Sequence, residues 1–269
     1  MTTPIRGHKP GGWWTLILIA TGFNLLFEYA LRGINNLQTQ PYLPVILTVI
    51  YLVYFTMLED LIVRFRLNDV HLMVITFFFG TVYISFISGV AFISPTAAGI
   101  NWGRLLYINL IWWGALQGVL TFYIANRLSL RDWGHRRLGW IGWSVAILVN
   151  LVVIRMFQRS ELIPKARPTG LIAVLIVLAA TLVLFRLMVP RTASQAAPPE
   201  FKRSLFLDGL AALTTLFFLF AAVFLTFDPI QAGTSNVNAA SLRLVSIWTA
   251  VLAVFMLGYR LYSRRGISV

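Results

Sequence analysis

Apolar residues run along this chain in long unbroken stretches, without the two-residue or 3.6-residue alternation that marks a one-faced strand or a surface helix. A helix crossing the roughly 30 Å hydrocarbon layer needs about 20 such residues. Laid along the sequence, that length predicts eight spans, at Trp13–Leu31, Pro44–Val63, Val70–Ile93, Leu105–Ala125, Leu138–Ile154, Gly170–Val189, Leu205–Phe227 and Leu244–Tyr262. The expected fold class is all-α, a polytopic transmembrane helix bundle forming a single transmembrane domain over residues 1–269. Helices suit this solvent because they satisfy their backbone hydrogen bonds within each segment. Arg155 and Arg186 trim the apolar cores of the fifth and sixth spans.

Between the runs the connections are short and carry turn residues: Asn35, Asn36 and Pro41 after the first span, Pro95 and Gly99 after the third, Pro164 and Pro168 after the fifth. None is long enough to be a domain. The longest, Pro190–Arg203, reads as a flexible or extended linker separating six spans from two. Arg6 and Lys9 precede the first apolar run as in a signal peptide, but no small-residue cleavage site follows and the run ends in Glu28 and Arg32. It is therefore expected to stay as a span.

Composition agrees with the pattern. The 269 residues are 58% hydrophobic and 12% charged, with a mean hydropathy of +0.79, whereas soluble domains carry about a quarter charged residues. The net charge of +13 does not imply nucleic acid as a partner, because the basic residues lie between apolar runs and not on one water-exposed face. They fit loops held against anionic headgroups. Fifteen of the 22 lie at segments that share a side with the amino terminus: Arg6, Lys9, Arg64, Arg66, Arg127, Arg131, Arg136, Arg137, Arg186, Arg191, Lys202, Arg203, Arg260, Arg264 and Arg265. The positive-inside rule then predicts both ends in the cytoplasm, in a prokaryotic plasma membrane. Arg155, Arg159, Lys165 and Arg167 run against this count, since all four fall in one expected outer loop. Trp13, Trp14, Trp102, Trp133, Trp140 and Trp143 sit near predicted interfaces, where amphipathic rings are at home.

Candidate chemistry is sparse. In the first span Asn24, Glu28 and Arg32 recur every four residues and form one polar stripe. At similar expected depth lie Arg104 and Asn109, Asn150 and Arg155, and Arg243. Together these eight would make an outward-facing polar pocket with a positive bias, suited to a carboxylate or phosphate. The competing reading is that Glu28 and Arg32 neutralise each other while the other arginines snorkel to the interface. Glu59, Asp60 and Arg64 form a second cluster at the cytoplasmic end of the second span. Asp60 and Arg64, four apart, suit an ion pair within a salt-bridge corner completed by Arg127, Arg131 or Arg186; the alternative is proton transfer or cation binding. Gly114 and Gly118, with Gln117 between them, suit a close helix-packing seam. The aromatic run Phe77–Phe79 with Tyr83 and Phe86 suits packing or lipid contact and leaves pigment or quinone packing open.

With no cysteine, disulfides, thiolate catalysis and Fe–S ligation are excluded. His8, His71 and His135 have no metal or bis-His haem spacing, and no Gly-rich phosphate loop, GxSxG or HExxH occurs. The run Glu28-Tyr29-Ala30-Leu31-Arg32-Gly33 resembles the tail of the EExxxRG motif of the CAAX-type intramembrane proteases. Phe27 replaces the first Glu of that motif and neither downstream His motif has an equivalent, so the activity does not carry over. Three functions follow as expectations. The first is a non-enzymatic subunit or scaffold of a larger membrane complex, with other membrane subunits and bound lipid or pigment as partners. The second is a small transporter or lipid-handling protein using the polar pocket. The third is an intramembrane enzyme using Glu28 or Glu59 as acid or base, which would need a nucleophile or metal from a partner.

Overall fold

In a computed structural model the chain is all-α: 81% of it is helical, and no strand occurs among the described residues. Those residues are 12–134, 138–159, 163–189, 201–225 and 239–265. They contain eight helices long and apolar enough to cross a membrane. We number them α1 (Trp13–Arg32), α2 (Leu43–Phe65), α3 (Asp69–Phe86), α4 (Trp102–Leu128), α5 (Trp140–Gln158), α6 (Pro168–Met188), α7 (Leu205–Leu225) and α8 (Ala239–Arg265). All eight match the expected spans in order, and the linker expected at Pro190–Arg203 lies, apart from its last three residues, outside the described residues.

Two helices depart from the sequence reading. α3 ends at Phe86, seven residues short of the expected Ile93, although the apolar run continues. Gly89 explains the break. Its φ is +66°, and a Cβ there would lie 2.5 Å from the Pro164 carbonyl oxygen, so the chain turns where another segment comes too close for a helix. Residues 87–101 instead form a loop with a short 3₁₀ turn at Val90–Phe92. Asn101 closes that loop by donating from its backbone N to Ala91 O (2.8 Å) and from Nδ2 to Ile93 O (2.9 Å). Its Oδ1 also accepts from Arg104 N at the start of α4. α4 itself begins and ends as α-helix but is wound as a π-helix over Ile108–Leu120, much longer than the single-turn bulges usual for that form.

Local sequence sets the other helix ends. Asn68 caps α3 by accepting from Val70 N and His71 N, while the His71 ring accepts from the Asn68 backbone N. Pro168 opens α6, where its missing N–H costs nothing. Ser204 caps α7, and Asp208 sits in its first turn, where the helix dipole favours an anion.

The chain divides into two compact units. The first comprises Met1–Glu59, Leu120–Arg137 and Glu200–Trp248. Here α1 packs on the end of α4 and on α7, with Phe27 stacked obliquely on Phe218 at 5.4 Å between ring centroids. Tyr54 and Phe55 are wholly buried, and Phe55 meets Phe122 edge to face at 5.6 Å. Ile34 N donates to Ala222 O at 2.9 Å, tying the turn after α1 to α7. The second unit comprises Asp60–Val119, Leu138–Pro199 and Thr249–Val269. α3 is its centre, packed on α6 and α5, with Tyr83 lying on Trp113 at 4.8 Å. Only 11% of α5 and of α6 is buried, so both offer most of their apolar surface outward.

Candidate functional site

In the first unit the polar stripe of α1 folds inward. Asn24 is fully buried and donates through Nδ2 to Thr121 Oγ1 (3.1 Å) and to Ala20 O (2.9 Å); its Oδ1 has no hydrogen-bond partner. One turn on, Glu28 pairs with Arg32 at 2.8 Å and accepts a short hydrogen bond from the Tyr51 hydroxyl of α2. The i,i+4 pair follows from helix geometry alone. Tyr51 does not, since it lies 23 residues away on another helix.

Glu59 belongs to the same unit and is fully buried, with both carboxylate oxygens held by Arg131 Nε at 2.9 and 3.0 Å. The Arg131 guanidinium also lies 5.3 Å from the Phe122 ring centroid and 5.2 Å from that of Trp133, two cation–π contacts. Asn126 Oδ1 accepts from Arg131 N at 2.7 Å and fixes the backbone beneath this group. Asp208 repeats the theme on α7: Arg127 Nε reaches both of its oxygens at 3.2 Å, and the Tyr123 hydroxyl donates to Oδ1 at 2.7 Å. Arg243 is exposed near the start of α8.

In the second unit Asp60 is fully buried and fully used. Arg64 Nη2 lies 2.7 Å from Oδ2, Trp143 Nε1 donates to the same oxygen at 2.8 Å, and Leu138 N donates to Oδ1 at 2.9 Å. Arg64 Nη2 also donates to Leu138 O at 2.9 Å. The carboxylate thus clamps the residues leading into α5 to the end of α2. Trp143, which the sequence places with the interfacial aromatics, uses its N–H here.

The remaining candidates in this unit lie on α4 and α5. Asn109 is fully buried and donates to Thr81 Oγ1 at 2.7 Å, its Oδ1 lying over Gly80, where a Cβ would come within 2.4 Å. Asn150 accepts from the Tyr83 hydroxyl at 2.7 Å. Gly114 and Gly118 face Met73 and Thr76 of α3; a Cβ on Gly118 would stand 3.1 Å from Thr76 Cγ2. Gln117 between them is 2% exposed. Arg104 and Arg155 are exposed, and neither makes an ion pair among the described residues.

Taken together, five of the six acidic residues in the described segments pair with an arginine: Glu28, Glu59, Asp60, Asp69 with Arg260 at 3.2 Å, and Asp208. The sixth, Asp132, accepts from Gly134 N. Among the described residues no three His, Cys, Asp or Glu side chains converge on a point that would hold a metal ion. His8 and His135 lie outside the described residues. No family model, curated protein or solved structure matches the chain. Its eight apolar helices make it an integral, multi-pass membrane protein.

Proposed function

We propose that the chain is a non-enzymatic integral subunit or scaffold of a larger membrane complex. The observation that carries this reading is the neutralisation of its membrane-embedded carboxylates. Glu28, Glu59, Asp60 and Asp208, acidic residues within described spans, are each engaged by an arginine; Glu28, Asp60 and Asp208 accept at least one further hydrogen bond, and both oxygens of Glu59 accept from Arg131 Nε. Proton relays and ion carriers need an acid that exchanges its proton or cation. These acids instead act as clamps between helices. The outward apolar face of α6 supplies surface for neighbouring membrane subunits, and the excess of basic residues suits the cytoplasmic side of a prokaryotic plasma membrane.

Purification from the native membrane in mild detergent tests the proposal. A stable set of co-purifying subunits in fixed stoichiometry is the expected result; a lone monomer or a homo-oligomer would remove it. A small carrier of anionic groups is the second reading, favoured by Arg104 and Arg155, which are exposed and make no ion pair among the described residues. It requires that Arg155→Ala, or Glu28→Gln, impair uptake or ligand binding in proteoliposomes.

A further inference from the structure

α5 has two unlike faces. One is pinned to α3: Ala146 and Val153 are buried, Asn150 accepts from the Tyr83 hydroxyl, and Gln158 Nε2 donates to Phe86 O at 2.7 Å. These anchors at 150 and 158 fix the rotation of the helix about its axis. The opposite face then follows from the 3.6-residue period. Leu151, Val152 and Met156 are 56, 51 and 53% exposed, and with Arg155 and Arg159 they line one open recess at the end of the span.

Two guanidinium groups one helical turn apart would ordinarily repel each other, and an anion between them removes that cost. Five arginines in or next to described spans, Arg32, Arg64, Arg127, Arg131 and Arg260, each reach a carboxylate of this chain, while Arg104 and Arg186 reach none among the described residues. Arg155 and Arg159 reach none among the described residues, although both are exposed on a face otherwise made of hydrocarbon. Such a face meets lipid tails, and the depth at which a span ends is the depth of the headgroup phosphates. A guanidinium fork matches phosphate oxygens in a bidentate geometry.

We propose that this face of α5 is a binding site for an anionic phospholipid, its phosphate held between Arg155 and Arg159 and one acyl chain lying on Leu151, Val152 and Met156. The site would account for a basic segment after α5 that runs against the charge bias of the other connections. It does not depend on the subunit role proposed above.

Native mass spectrometry of the full-length protein in mild detergent, titrated with dioleoyl phosphatidylglycerol or dioleoyl phosphatidylcholine, tests the site. Each basic residue near a membrane surface is worth about a fivefold gain in affinity for an anionic lipid, so the wild type should prefer phosphatidylglycerol by roughly thirtyfold. R155Q/R159Q should bring the two lipids to parity, with its elution profile and helical circular dichroism unchanged because both side chains are exposed. R186Q, which removes an exposed arginine at the end of α6, should keep the full preference. Soluble glycerophosphoglycerol should fail to displace the lipid. The proposal is overturned if the double variant keeps the preference or if R186Q abolishes it equally. Competition by glycerophosphoglycerol at the concentration of the intact lipid would also overturn it, by assigning the arginines to a soluble anion.

Discussion

Glu59 is out of solvent altogether, and Arg131 is its counter-charge, bound through both oxygens and in cation–π contact with two rings. Removing one member of a buried pair strands the other, which typically costs about 3–5 kcal/mol. Arg131→Ala is therefore expected to lower the thermal unfolding temperature in detergent by far more than Arg64→Gln. Arg64 donates twice to Asp60 Oδ2 and once to Leu138 O, but Asp60 would still keep the Leu138 and Trp143 N–H donors after the latter change, so its carboxylate is not stranded and the loss is smaller. Equal effects of the two changes would contradict this account. Glycines make a second contrast. At Gly80 a methyl group would lie 2.6 Å from Trp113 Cγ, so Gly80→Ala forces apart α3 and α4 and should cost about 1–3 kcal/mol. At Gly22 a Cβ meets nothing within 4 Å, and Gly22→Ala should be neutral or stabilising by up to about 1 kcal/mol through its better helix propensity. How far these residues were legible depended on sequence distance. Asp60 with Arg64 and Glu28 with Arg32 can be read from i,i+4 spacing, whereas Tyr51, Trp143 and Leu138 reach them only through helix packing.

At the scale of the element, hydropathy finds every long helix, but it says little about how each one is used. α4 and α5 have mean hydropathies in the ordinary range for spans, yet 67% of the first is buried and 11% of the second. The difference lies in neighbours that the local sequence does not contain. Because the chain has no cysteine, single substitutions can carry spin labels without background. Labels at Leu148, Leu151 and Val152 should be freely accessible to dissolved oxygen in the bilayer, and labels at Ala146 and Val153 shielded, giving a 3.6-residue wave along α5. A flat profile would rule out the packing against α3. The same dependence on neighbours shortens α3: its apolar run continues to Ile93, but the approach of Pro164 to Gly89 ends the helix at Phe86.

For the whole molecule, the charge distribution predicts the orientation. A cytoplasmic-side reporter fused at the carboxyl terminus should be active, and a reporter active only outside the cytoplasm should respond when fused after Lys165. A cytoplasmic signal after Lys165 would require the fifth and sixth spans to be redrawn, leaving the membrane assignment intact. The sequence by itself determined that this is an eight-span helical membrane protein, because length and apolarity are the only demands that hydrocarbon makes of a helix. Tertiary structure alone decided which arginines meet Glu59 and Asp208, which faces of α5 and α6 stay open, and where α3 stops. Lipid offers one uniform solvent to every apolar side chain, so hydrophobicity cannot choose among helix faces, and that choice falls to close packing and to polar groups that must find partners across the chain.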